Sequence, residues 1–284
     1  MAVKIIIDSA SDINQEESKV LGVVMIPMEI RFGDEQYLDG VDLTSRQFYE
    51  KLIESDELPK TSQINPYRFA EVFERITANG DEAVVITISS KLSGTYASAT
   101  QAAEAFAGKI YVVDSKNACI GERLLLQYAQ RLVAQGMGAK EIAAELEVAK
   151  TRICLMAVLN TLEYLKKGGR ISAAVAFAGS MLSIKPVVAV EGGEVKLVGK
   201  ALGSKKGNNL LSSLVEKKGG IDFDMPYGVV CSGLDDTMLK KYVADSAHLW
   251  AEHTENIPSY VIGSTIGTHI GPGAIGVAFF APKQ

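Results

Sequence analysis

The sequence predicts an α/β chain: a mostly parallel sheet with helices on both faces over residues 1–150, then an α+β domain over residues 151–284. Three observations carry this reading. Through the first half, β-branched apolar runs alternate with segments of helical period, the rhythm of a parallel sheet with crossover helices. In the second half, strand-like runs lie next to one another with a Gly192-Gly193 hairpin signal between them. No low-complexity linker and no repeat of 20–50 residues interrupts the chain.

The elements follow in order. VKIIID (3–8) reads as a buried strand. Residues 13–22 read as a helix capped by Ser11 or Asp12 and stopped by Gly22. VVMIPMEI (23–30) reads as one strand. Thr44 opens a helix over 44–55, and Pro66 and Gly80 bracket another over 65–80. Strands at 82–89 and 109–114 flank an Ala-rich helix at 95–108. Residues 121–136 form an amphipathic helix. The second half predicts a strand at 152–159, a short helix at 161–169 stopped by glycine, and a small-residue helix at 172–182. A hairpin over 185–201, a helix at 207–218, a strand at 227–233, a helix at 236–253 and two closing strands complete it.

Composition narrows function. The chain is 47% hydrophobic and 22% charged, with a formal net charge of -5. That balance argues against non-specific nucleic-acid binding. Cys119, Cys154 and Cys231 have no CxxC spacing and lie in apolar or mixed runs, so buried free thiols and a cytoplasmic setting are expected. No zinc ligand set, no cofactor motif and no apolar stretch long enough to span a bilayer is readable. The N-terminus reads as a first strand rather than a signal peptide. His248 and His253 lie on one predicted helix five residues apart, a spacing that does not put two ligands on one face.

Gly271, Gly273 and Gly276 spell G-x-G-x-x-G, but a β-rich run follows instead of a helix, and Pro272 removes an N–H that a phosphate would use. The segment reads instead as a tight loop around His269, whose glycines leave its backbone open to a ligand. In SSKLSGTY, Ser93 and Gly94 stand at a helix start, where free N–H groups favour an anion; Ser93 serves equally well as an N-cap. Thr61-Ser62-Gln63, before the Pro66 helix, has the same two readings. P-loop, nucleophile-elbow and H-E-x-x-H patterns are absent, and no acid–base pair stands out.

Together, IIIDSASD, TSQ, SSKLSGTY, VVDS, LEYLKKGGRIS and IGTHIGPGAIGVAFF, in this order and at these distances, resemble the DegV family over essentially the whole chain. The resemblance implies a long-chain fatty acid held between the two domains, with no cofactor and no catalytic residues of the chain's own. It implies a carboxylate near Thr61, Ser62, Ser93, Gly94 and His269. It further implies presentation of the head group by Arg170 and His269 to a separate fatty acid kinase subunit. The tail wants a dry tunnel, for which the 172–182 helix offers a wall, although ordinary helix packing explains its small residues as well. Burying about 14 methylenes at roughly 0.8 kcal/mol each gives on the order of 11 kcal/mol gross, more than the head contacts supply. Two departures stand out. Ile64 and Asn65 replace the usual proline and small residue after T-S-Q, and Leu202 stands where the family commonly has an arginine linked to the kinase partnership. Alternative functions are a small-molecule phosphotransferase, which lacks its phospho-acceptor and P-loop here, and a lipid-sensing regulatory module.

Overall fold

The computed structural model describes residues 2–172 and 183–283; the predicted small-residue helix therefore lies, from residue 173, outside the described residues. Four parallel strands form the first sheet: β1 (Val3–Asp8), β2 (Val24–Ile26), β6 (Glu82–Thr87) and β7 (Ile110–Asp114), in the order β2-β1-β6-β7. β1 and β6 are central and almost fully buried, as a sheet covered on both faces requires. α3 (Pro66–Ala78) and α4 (Thr95–Ala103) pack on this layer. α1 (Gln15–Leu21) and α2 (Ser45–Glu54) also belong to this half. Thr44 caps α2 in a capping box with Gln47, and Pro66 occupies the first turn of α3, as predicted.

Several elements differ from the prediction. The run 23–30 is not one strand. Pro27 lacks the N–H to continue the ladder beyond β2, and the chain turns away into β3 (Glu29–Phe32). β3 pairs antiparallel with β4 (Glu35–Leu38) and β5 (Lys60–Ser62) in a separate three-stranded sheet. Thr61 and Ser62 are thus strand residues, and the cap of α3 is Asn65. Asn14 caps α1, because Ser11 lies in a 3-10 turn and Asp12 is left-handed at φ 60°. A helix unmarked in the sequence reading, α6 (Ala139–Ala149), follows α5 (Cys119–Ala134).

α5 begins earlier than predicted and is buried all round over its first two turns, Glu122 and Arg123 included. The reason is its position: it contacts β1 and β6 of the first sheet and β8, β11 and β13 of the second. That second sheet is mixed and six-stranded, in the order β10-β9-β8-β13-β11-β12. It comprises β8 (Ile153–Val158), β9 (Ile184–Glu191), β10 (Glu194–Leu202), β11 (Tyr227–Cys231), β12 (Ser259–Val261) and β13 (Ile275–Phe280). Gly192 and Gly193 turn the β9–β10 hairpin at φ 62° and 88°, conformations that favour glycine.

Helices α7 (Glu163–Lys167), α8 (Gly203–Lys217), α9 (Thr237–Asp245) and α10 (Ser264–Ile270) complete the described chain. α8 starts four residues earlier than the predicted 207. The predicted 236–253 helix breaks after Asp245, so His248 and His253 do not share a helix; His253 stacks on Phe223 and His248 pairs with Glu216. The three thiols are free; Cys119 and Cys231 are buried, whereas Cys154 is only half-buried. No described helix is long and apolar enough to cross a membrane.

Candidate functional site

β8 lies near the middle of the second sheet, yet Ala157, its penultimate residue, is not fully buried. Leu155, Ala157 and Leu159 recur every second residue, so they share one face of the strand. That face looks into a cavity between the two large sheets. Across it stand Met28, Ile88 and Leu92 from the N-terminal half, while Val188, Val195 and Ile266 extend the C-terminal wall. About 100 Å³ of this space is open to the centre of a water-sized sphere. Its lining is almost wholly apolar, with a few polar groups gathered where Thr61, Ser93, Arg170 and His269 meet.

Those groups come from four separate elements. Thr61 is presented by β5, paired opposite Ile30. Its Oγ1 lies 2.9 Å from His269 Nε2. His269 sits in the last turn of α10, so the glycine-rich segment predicted as a loop is helical here. Its Nδ1 is buried without a hydrogen-bond partner among the described residues and packs against Gly168, where any side chain would strike the ring. Burial first, and the Arg170 guanidinium second, push the imidazole down to about 4. His269 is therefore neutral near pH 7, able to donate or accept one hydrogen bond at Nε2.

Arg170 is fixed by its own backbone acceptors. Nε donates to the Leu92 carbonyl at 3.1 Å and Nη1 to the Gly168 carbonyl at 2.6 Å. Gly169, at φ 69°, gives the turn that aims Arg170 back across the mouth. Ser93 Oγ lies 2.9 Å from Thr95 Oγ1 and accepts weakly from the Thr95 N–H at 3.3 Å. The cap position of α4 is Gly94, with no side-chain cap bond. Gly94 has no side chain because the Gln63 amide occupies the space where one would go. Gln63 Nε2 in turn donates to Ser98 Oγ at 3.2 Å, stitching the Thr61 strand to the start of α4. Ile64 N–H extends the seam to Thr95 Oγ1.

α10 is seated by two buried acids of the N-terminal half. Asp12 accepts from the Gly263 N–H at 2.8 Å, and Asp39 accepts from the Ser264 and Thr265 N–H groups at 3.1 and 3.2 Å. These bonds satisfy donors that a helix start leaves free. Burial pushes Asp12 and Asp8 up to about 7 and raises Asp39. A carboxyl raised on folding stabilises the fold while protonated, so its contribution falls as pH rises from about 4 to 7. His269, depressed on folding, acts in the opposite sense between about 4 and 6.5. These three raised acids, with Glu122 raised by burial as well, outweigh one histidine, so the ligand-free protein is expected to lose stability from pH 4.5 to 7. Asp12→Asn should flatten that decline. Urea midpoints at half-unit pH steps check it; a wild-type midpoint that climbs across this range contradicts it.

The DegV family model matches residues 2–282. The chain belongs to the DegV family. A DegV domain-containing protein of Caldanaerobacter subterraneus subsp. tengcongensis is 34% identical over 279 residues, 98% of each chain. Among solved structures, a fatty-acid-binding DegV family protein from Thermus thermophilus superposes with a TM-score of 0.87 at 30% identity, covering 99% of this chain and 100% of that one. DegV from Bacillus subtilis, described as a fatty acid binding protein, gives 0.83 at 28% identity, covering 99% and 100%. The parallel sheet flanked by helices and the second, mixed sheet are thus the DegV architecture.

In this DegV chain the predicted residues gather at one end of the cavity: Thr61, Ser62, Ser93, Arg170 and His269 all line it, and Gly94 adjoins Ser93. Gln63 lines it too and was visible only as part of a polar triplet. Asp12 and Asp39 carried no signal as partners of α10, because they lie 251 and 225 residues from the N–H groups they accept from. Leu202 lines neither this cavity nor the groove outside its mouth; it ends β10 and is 59% exposed. Among the described residues, no group of three His, Cys, Asp or Glu could hold a metal.

Proposed function

We propose that this protein binds one long-chain fatty acid in the cavity along β8, lying between an N-terminal unit (1–150) and a C-terminal unit (151–284). The observation that carries the reading is an almost wholly apolar cavity that also takes in Thr61, Ser93, Arg170 and His269. The acyl tail lies against Leu155, Ala157, Val188 and Val195. The carboxylate lies at Thr61, Ser62, Ser93 and Gly94, with His269 Nε2 as a further donor. Arg170 compensates the charge across the mouth. The fatty-acid-binding descriptions of the Thermus and Bacillus proteins support the same ligand class.

The chain itself is a binding protein and not an enzyme. Outside the head group, Asp56, Lys60, Tyr164 and Lys167 form a wider, polar groove that shares Thr61, Arg170 and His269 with the cavity. In this reading the groove admits a separate kinase, which phosphorylates the carboxylate. Phosphoryl transfer depends on positioning and on stabilising charge, and neutral His269 beside Arg170 suits both. Exposed Leu202 gives such a partner no cationic contact, which separates the binding role from the kinase role.

Protein purified from a bacterial host is expected to carry a fatty acid of roughly 14–18 carbons, a length that buries about 11 kcal/mol of methylene surface before the cost of ordering. Native mass spectrometry followed by organic extraction reads it directly. Ser93→Ala and Thr61→Ala should each weaken palmitate roughly ten- to a hundredfold, the worth of one hydrogen bond to a charged group. An empty protein that also ignores added palmitate and oleate would sink the reading. Kinase-dependent ATP turnover on the loaded protein tests the second role; none, beside a working control carrier, leaves a lipid store or sensor.

A further inference from the structure

β8 and β9 are hydrogen-bonded over a short ladder only: Val158 with Val187, Ala157 with Val188, Met156 with Ala189. The Leu159 N–H, donating to the Pro186 carbonyl, extends it toward the head-group end. At the other end the strands part. Ile153, Cys154 and Leu155 stay with β13, while Val190 and Glu191 stay with β10. The sheet therefore forks about 13 Å along β8 from Leu159, at 3.3 Å per residue.

At the fork two spaces share wall residues. Leu155, Ala189 and Val190 line both the acyl cavity and a second groove beyond the fork. A third segment makes the same step: Ala118 and Cys119 face the cavity, and the preceding Lys116 and Asn117 face the groove. Three separate stretches of chain thus pass from a dry wall to a wet one at the same depth. A closed tail pocket ends instead in bulky apolar side chains.

The groove is cationic at its surface. Lys116, Lys150 and Lys218 line it against a single lining carboxylate, Glu191. Each ammonium has an ion-pair partner: Lys116 with Asp114 at 2.7 Å, Lys150 with Glu147 at 2.6 Å, Lys218 with Glu191 at 3.4 Å. Lys218 and Glu191 are 44% and 40% exposed, so theirs is a surface pair, weakly held and open to exchange, whereas Lys150 is 10% exposed and also donates to the Asp114 carbonyl.

We propose that the tunnel is open at both ends and accepts long-chain α,ω-dicarboxylic acids, one carboxylate at Thr61 and Ser93 and the other among Lys116, Lys150 and Lys218 beyond the fork. The proposal rests on the fatty-acid reading and narrows it to a substrate class. Leu155 and Val190 are the specificity-determining residues, because the chain must pass between them.

Displacement of a fluorescent polyene fatty acid measures it, using monoacids and α,ω-diacids of 12 to 20 carbons on the full chain. A ligand held at both ends has one best length. Diacid affinity should therefore peak sharply, within about tenfold of the matching monoacid, where a sealed apolar end would reject the second charge by a hundredfold or more. Lys116→Gln with Lys218→Gln should weaken the best diacid roughly tenfold and leave palmitate unchanged, which also certifies the fold. Leu155→Trp should abolish the diacid peak and retain shorter monoacids. Diacids rejected at every length, with monoacids bound, overturn the proposal while the fatty-acid reading stands. Long monoacids accepted and diacids refused overturn it too, since the far end then lacks anion recognition. If no monoacid binds, the reading beneath it fails and takes the proposal with it.

Discussion

Ala157→Trp is expected to abolish acyl binding while leaving the fold intact. Ala157 is an incompletely buried residue next to the end of an interior strand, flanked on its face by Leu155 and Leu159. It is incompletely buried because it faces the cavity and not a packed layer. An indole there fills space that already exists, so no neighbour has to move and the melting temperature should hold or rise. The tail loses its path beyond the midpoint. Forfeiting about seven methylenes at roughly 0.8 kcal/mol each removes on the order of 5 kcal/mol, a loss of about a thousandfold or more in affinity. Palmitate titration and a thermal melt, run side by side, check both halves of the expectation. Undiminished palmitate affinity would mean that the ligand does not run along β8.

Gly267→Val should be the most damaging single change outside the hydrophobic core. Gly267 is the point at which α10 rests on α2: a Cβ there would lie 2.6 Å from Phe48 Cε1 and 2.8 Å from the Tyr49 hydroxyl. Both rings are 0% exposed and stack edge to face on each other, so neither can yield. The helix must lift instead. Overpacking of this kind costs about 1–3 kcal/mol, and more where the backbone has to shift. It would also strain the Asp39 bonds at one end of α10 and part His269 from Thr61 at the other. Urea unfolding should give a lowered midpoint, with carboxylate preference lost as well: palmitate and hexadecanol should bind alike. A stable variant that still prefers the acid would show that α10 is not seated by this contact.

The parts legible in the sequence were those where local chemistry and tertiary packing agree. β1, β6 and β7 are unbroken apolar runs, α2 and α3 carry their own caps, and Gly192-Gly193 demands left-handed backbone. The polar groups that line the cavity were legible through the resemblance of their motifs to the DegV family, since the hydroxyls alone read equally well as helix caps. The failures are places where tertiary contacts overrule local preference. Two glycines in the eight residues Gly263–Ile270 argue against helix, the one inside it at roughly 1 kcal/mol relative to alanine, yet Ser264–Ile270 winds into α10. Asp12 and Asp39 supply its first-turn acceptors from far away in sequence, and its glycine is what lets it sit on Phe48 and Tyr49. The run 23–30 looked continuous because apolar pattern does not register which sheet a strand joins. Pro27, the one residue in it that breaks a ladder, was the available signal.

β13 has a consequence for biosynthesis. It follows the other described strands in chain order, and it lies between β8 and β11 in the middle of the second sheet. A nascent chain must therefore hold β8, β11 and the buried face of α5 without their central partner until Phe280 has left the ribosome. The N-terminal sheet can close much earlier, since β7 ends at Asp114. Between those two moments the apolar side of α5 that will meet β13 stands open to chaperones and to neighbouring chains. A ribosome stalled before β13 has been made thus releases a protein lacking the centre of a sheet, a species for proteases to clear.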